Sequence, residues 1–275
     1  MKFRTWTLIA ALAGLSAAAY AGDMVRLYEF GADDVAYLAL PKQAPKAAIL
    51  LVPDSLGSLE IVSKRCDLLA KLGYTAMALD LYGGTEAASP TDAKQIQSKI
   101  SKQLAKQTVA AGLKLLCESP RYRAEKLILA VWGDNMPVVL EALKDAGPGV
   151  HLTAVSWLEA AGGGQPRELA SLPCAFQVIY APEQAQSELG KYLQALGELR
   201  GGKDDIEKVE YDAGFLLKPE ISGACADVWS NIIRFWGVQA QGLAPGLTDK
   251  SESLTSEMAD ARPVKNSSYS DRFGR

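Results

Sequence analysis

The residues whose types and spacing come closest to an active-site pattern are Val131, Trp132, Gly133, Asp134 and Asn135. Leu127 to Trp132 reads as a buried strand, Gly133 to Asn135 as a sharp turn, and Met136–Pro137 as a helix start. Proline is tolerated there because its missing N–H would have no intrahelical partner. Strand, sharp turn and helix form the setting in which G-x-S-x-G lifts a nucleophile above a sheet. Here the nucleophile's place falls on Gly133, which has no side chain. A hydroxyl or thiol nucleophile would also need an adjacent base, and the base an orienting acid. Asp134 is the one acidic side chain at the turn. As an aspartyl nucleophile it would need a shifted register, with Trp132 in a small-residue position, and still a histidine. The favoured reading is an acidic residue in the first helical turn, facing the helix's positive end.

The other candidate pocket residues follow the predicted strands at their carboxyl ends: Ser55, Leu56, Tyr82, Glu159 and Glu183, alongside Trp132 and Asp134. Tyr82 and Trp132 offer rings that could stack on a flat ligand, although such aromatics more often fill core or rim. Carboxylates paired within about 5–10 Å would permit glycosidase-like acid and base work. The single histidine, His151, precedes its strand and so lies at the edge opposite the carboxyl ends, where α/β sites form. No cysteine or histidine spacing suits a metal, and no cofactor is expected.

The positioning elements alternate. Met24 to Phe30 and Val35 to Leu40 read as strands joined by a hairpin signal, Gly31-Ala32-Asp33-Asp34. Ala47 to Val52 is an apolar run, as in a parallel strand buried on both faces. Leu59 to Leu72 reads as an amphipathic helix stopped by Gly73, and Tyr74 to Leu81 as the next buried strand. Ser89 or Thr91 can cap one long helix to about Cys117, its lysines forming a solvated face. After the central strand and helix, strands are expected at Leu152 to Leu158, Ala175 to Tyr180 and Lys208 to Tyr211. Helices are expected over Ser187 to Leu199 and within Pro219 to Trp236. This order predicts an α/β fold: a mostly parallel, twisted sheet of about eight strands with helices on both faces.

Composition bounds the function. The chain has 275 residues and a formal charge of −3. Residues 1–21 read as a signal peptide, with Lys2 and Arg4 at the start, a short apolar run from Trp6 to Leu15, and the small-x-small site Ala19-Tyr20-Ala21. That run is shorter than the roughly 20 apolar residues a membrane span takes. Cleavage near Ala21 would leave 254 residues with 27 basic and 32 acidic side chains, a charge of −5, in the periplasm or secreted. Mild acidity without a basic cluster argues against nucleic acid as a partner. No later stretch is long and apolar enough to span a membrane. Residues 22–241 are expected to form the domain. Residues 242–275, rich in Ser, Asp, Lys, Pro and Gly, are expected to be a disordered polar tail.

From about residue 24 to 238 the chain resembles the dienelactone hydrolase family of α/β-hydrolases. The resemblance is carried by VAYLALPKQAPKAAILLVPDSLG (Val35 to Gly57), CDLLAKLGYTAMALDLYGG (Cys66 to Gly84) and the central strand–turn–helix. It implies an α/β-hydrolase fold and a nucleophile–acid–histidine triad. The nucleophile position maps to Gly133, the acid to Gln184 with Glu183 one residue away, and the base to Ala213. None of the three can do its part. The acidic pocket candidates disfavour the anionic, lactone-type substrates of that family, and no arginine follows Tyr82-Gly83-Gly84. The resemblance also places the helices of Cys66 and Cys225 on one sheet face, making them the pair to nominate for a bridge. Buried thiols at all four cysteines, including Cys117 and Cys174, are an equal expectation. The sequence thus supports an exported protein that has lost hydrolase activity and binds a small molecule or an envelope protein. The alternative is a hydrolase of esters or lactones working through carboxylates in the same cleft. The acidic surface and polar tail are a third, weaker route to a protein partner.

Overall fold

The computed structural model describes residues 22–56, 59–85, 87, 89–160, 165–201, 206–211 and 224–241. The segment read as a signal peptide (residues 1–21), the expected polar tail (242–275) and Ala213 lie outside them. Eight strands form one sheet in the order β1-β2-β4-β3-β5-β6-β7-β8. They are β1 (Asp23–Arg26), β2 (Val35–Ala39), β3 (Ala48–Val52), β4 (Thr75–Leu79), β5 (Leu127–Trp132), β6 (Leu152–Leu158), β7 (Ala175–Tyr180) and β8 (Ile206–Glu210). β1 pairs with β2, and β2 with β4, antiparallel; every other pairing is parallel. This is the expected α/β architecture.

Side-chain alternation divides the core into two layers. Ala48, Leu50 and Val52 of β3 and Leu127, Leu129 and Val131 of β5 face one layer. That layer is covered by α3 (Lys102–Glu118), α4 (Met136–Ala146) and α6 (Glu188–Leu199). Ile49, Leu51, Ile128, Ala130 and Trp132 face the other, covered by α1 (Leu59–Lys71) and α7 (Ala224–Gln241). Strands buried on both faces favour apolar residues on both parities, which is why β3 and β5 read as unbroken hydrophobic runs and β4 as one after Thr75.

Several expected boundaries shift. The first strand stops at Arg26, and Tyr28–Phe30 is a 3-10 turn. The long helix expected after Ser89 is two helices, α2 (Pro90–Lys99) and α3, because Ile100 is extended and the Ser101 hydroxyl accepts the Leu104 N–H to start a new helix. Pro166–Ala170 forms a short helix, α5, that the sequence reading omitted, and the last strand starts at Ile206 rather than Lys208. Cys66 and Cys225 share the α1/α7 layer, as the resemblance implied, but all four cysteines are free thiols. Among the described residues no helix is long and apolar enough to cross a membrane.

Candidate functional site

β3 and β5 are neighbours, yet the chain leaves β3 toward β4 on one side and enters β5 from the other. In an open α/β sheet the crevice at such a switch point is where ligands bind. Val52 pairs with Val131, so two residues further along Asp54 comes to lie beside Gly133. Gly133 has φ +57°, the left-handed region in which a side chain costs strain and glycine does not. The sharp bend is therefore formed by a residue that carries no side chain. Its frame is complete: the Gly133 N–H donates to the Leu158 carbonyl at 2.9 Å, and the Gly133 carbonyl accepts from the Trp157 indole N–H at 2.7 Å. The flanking Asn135, buried, donates from Nδ2 to the Pro53 carbonyl at 2.8 Å and to the Tyr82 hydroxyl at 3.3 Å, tying the bend to the β3 and β4 loops.

A Cβ placed on Gly133 would lie 3.4 Å from Asp54 Oδ2. The space a nucleophile would enter is thus open but borders a carboxylate. Asp54 Oδ1 also accepts the Leu56 N–H at 2.9 Å, a donor that an oxyanion hole in this loop would need. A negative oxygen developing there meets a filled donor and a like charge. At about 4 Å and an effective dielectric near 20, that repulsion is roughly 4 kcal/mol. Asp134 is exposed, and its Oδ1 accepts from Gln97 Nε2 of α2 at 2.5 Å. Both carboxylates, after burial itself, help push the Tyr82 hydroxyl up to about 12. At neutral pH Tyr82 is a protonated structural group.

The expected pocket residues separate into two sets. Leu56, 42% exposed, and exposed Asp134 and Glu183 stand at the surface, with half-buried Glu159 among them. Glu159 has φ +52°, the one positive value for a non-glycine among the described residues, and strain of this kind concentrates at binding and active sites. Ser55, Tyr82 and Trp132 belong to the interior. The Ser55 hydroxyl donates to the Ala93 carbonyl at 3.1 Å. Tyr82 sits in the α3/α4 layer with its hydroxyl toward Asn135. Trp132, fully buried, packs 6.3 Å from the Trp229 ring. Neither ring offers a stacking face, so that expectation is corrected: strand alternation turns Trp132 into the α1/α7 layer. Gln184 is committed to its own turn, its Oε1 accepting the Ala181 N–H at 3.0 Å, and so has no acceptor aimed at a histidine. His151 is exposed at the start of β6, remote from the bend.

Asp54 is the site residue that sequence reasoning did not nominate, and Asn135, placed in the turn by sequence, gains a role as its tie to the neighbouring loops. Asp54 carried a signal, as the first acidic residue after a buried parallel strand. A cavity of about 500 Å³ lies at the other end of the sheet, at the amino ends of β6, β7 and β8, lined by Thr153, Cys174, Phe176, Arg200, Glu207 and Arg234.

Residues 35–131 match the model of the dienelactone hydrolase family, a stretch holding Asp54 and Tyr82 and ending two residues before Gly133. No curated protein matches the sequence. Among solved structures, a dienelactone hydrolase-like promiscuous phosphotriesterase from metagenomic libraries is 16% identical with a TM-score of 0.61, covering 78% of this chain and 96% of its own. A Klebsiella pneumoniae protein named for dienelactone hydrolase is 18% identical with a TM-score of 0.61, covering 79% and 98%. Dienelactone hydrolase from Anabaena variabilis is 13% identical with a TM-score of 0.55, covering 81% and 96%. These likenesses establish the α/β-hydrolase fold.

Proposed function

We propose that this chain, with dienelactone hydrolase-family sequence over residues 35–131 on an α/β-hydrolase fold, has lost hydrolase turnover and serves as an exported binding or envelope-associated protein. The observation that carries this reading is Gly133, a side-chain-free residue held at φ +57° on an intact bend. The filled Leu56 N–H and the Asp54 carboxylate beside the bend add to it, since both oppose the charge that ester cleavage must stabilise. Ala213 at the base position supports it from sequence. Asp54, Asp134, Glu159 and Glu183 each follow the carboxyl end of a strand, β3, β5, β6 and β7, and this acidic character favours a neutral or cationic small molecule over an anionic one.

The test is the purified protein against p-nitrophenyl acetate and a panel of lactones. Hydrolases stripped of their triad keep roughly 10³–10⁴-fold over water, so the expected rate is at or below that order. Faster turnover that Asp54→Ala or Asp134→Ala abolishes would replace this reading with the carboxylate-based hydrolase. Cell fractionation tests export, with the protein expected in the periplasm or the medium.

A further inference from the structure

At the first described residue, the Gly22 nitrogen lies 2.6 Å from the Tyr37 hydroxyl and 3.0 Å from Asp67 Oδ1. The Tyr37 hydroxyl in turn donates to the same Asp67 oxygen at 2.7 Å. One nitrogen, one phenol and one carboxylate therefore meet in a half-buried triangle between the sheet edge and α1. A peptide N–H has a single hydrogen to divide between these two acceptors, whereas an ammonium has three. The position also accepts only glycine: a Cβ on Gly22 would lie 2.3 Å from the Leu38 carbonyl oxygen of β2, a backbone atom that has no room to yield. Gly22 directly follows the small-x-small site Ala19-Tyr20-Ala21.

We propose that cleavage after Ala21 makes Gly22 the amino terminus, and that Asp67 and Tyr37 form a built receptor for its α-ammonium. An export peptidase adds water across the Ala21–Gly22 peptide bond. Ala21 departs with the new carboxylate, and the Gly22 amine takes up a proton from solvent. The nitrogen then gains a full charge where it already stands. Two of its hydrogens serve Tyr37 and Asp67. The environment is short of such a charge. Burial raises the Asp67 carboxyl above its ordinary range, while the Tyr37 hydroxyl, the Gly22 N–H and Lys71 only partly offset this. An ammonium against a carboxylate makes a stronger, charge-assisted hydrogen bond than an amide does. Processing would thus lock β1 onto β2 and α1, coupling removal of the leader to stability of the mature fold. This inference rests on export and is independent of whether the cleft turns over an ester.

The experiment compares Gly22–Arg275 bearing a free amino group, released from an engineered precursor, with the same chain retaining Ala21 and with the Nα-acetylated Gly22 form. The last two keep the nitrogen and remove its charge. The free form is expected to melt about 3–5 °C above both. In Asp67→Asn the lead should disappear. Equal melting of the three forms, or a lead that survives Asp67→Asn, overturns the receptor. If Asp67→Asn does not fold, the acetylation comparison decides alone. Amino-terminal sequencing of the protein exported with its own leader should begin Gly-Asp-Met-Val-Arg, and a start elsewhere overturns the processing step. The ester assay is unaffected by either result.

Discussion

At the scale of single residues, the bend at Gly133 holds its backbone in a region that L side chains enter at a cost. A serine there has room, since its Cβ would sit 3.4 Å from Asp54 Oδ2, but φ +57° costs about 1–2 kcal/mol. Gly133→Ser is therefore expected to lower stability by that amount in urea and to gain no esterase activity, because neither Gln184 nor a neighbouring base completes a relay. A Gly133→Ser protein with ester turnover well above the parent would show that an acceptor, Asp54 first, can serve as base. Asn135→Ala probes the same bend from its other side. Losing the bonds to the Pro53 carbonyl and the Tyr82 hydroxyl leaves two partners short, at a cost of about 2 kcal/mol, read by the same denaturation. The register that puts Gly133 at the bend was legible because it depends on a local pattern, a buried strand running into a helix. Asp54 was not nominated because its role depends on β3 lying beside β5, a pairing between segments about eighty residues apart. Trp132 needed only strand alternation: it shares the parity of Ile128 and Ala130, which face α1 and α7.

At the scale of elements, the strands whose every position is buried announced themselves, and those with polar insertions hid their partners. Ser156 of β6 and Gln177 of β7 look like interruptions in apolar strands. In the structure they form a hydrogen-bonded chain, buried at Ser156 and Gln177, that crosses three strands and a helix. The Trp236 indole of α7 donates to the Ser156 hydroxyl at 2.8 Å, which donates to Gln177 Oε1 at 3.0 Å. Gln177 Nε2 donates to Glu207 of β8 at 3.0 Å, and Glu207 pairs with Arg234 of α7 at 2.5 Å. Sequence alone cannot show such a network, because each polar side chain is satisfied only by a residue from another element. Ser156→Ala is expected to cost about 2–4 kcal/mol, since it strands a buried indole N–H and a buried amide oxygen together. Chemical denaturation measures this, with Ser156→Thr as the control that keeps the hydroxyl. A cost below about 1 kcal/mol would mean that the hydroxyl is not the joint between sheet and helix. The split between α2 and α3 is a similar case: apolar spacing carries on across Ile100–Ser101, while a capping serine divides the helix.

At the scale of the whole molecule, both core layers hang on one sheet, and three of the buried tyrosines report on them. Tyr74 sits in the α1/α7 layer; Tyr82 and Tyr192 sit in the α3/α4/α6 layer. Burial, the first cause for each, pushes all three hydroxyls up to about 12 from their ordinary 10. The fold therefore resists their ionisation. Its stability is fully present below pH 10 on their account and is lost as the pH rises through 12, because the unfolded chain gives up these protons first. Absorbance at 295 nm followed together with far-UV circular dichroism should show a late cooperative step between about pH 10 and 12, in which tyrosine ionisation and loss of secondary structure coincide. The layers can also be told apart. If they open as one unit, Tyr74→Phe and Tyr192→Phe should each remove amplitude from the same step. Were the α1/α7 layer to open separately, Tyr74→Phe would remove an earlier step and leave the later one intact. The sheet argues for one unit: each residue of β3 and β5 that faces one layer is bonded in sequence to a residue facing the other, so neither face can be exposed without loosening the strands that both share.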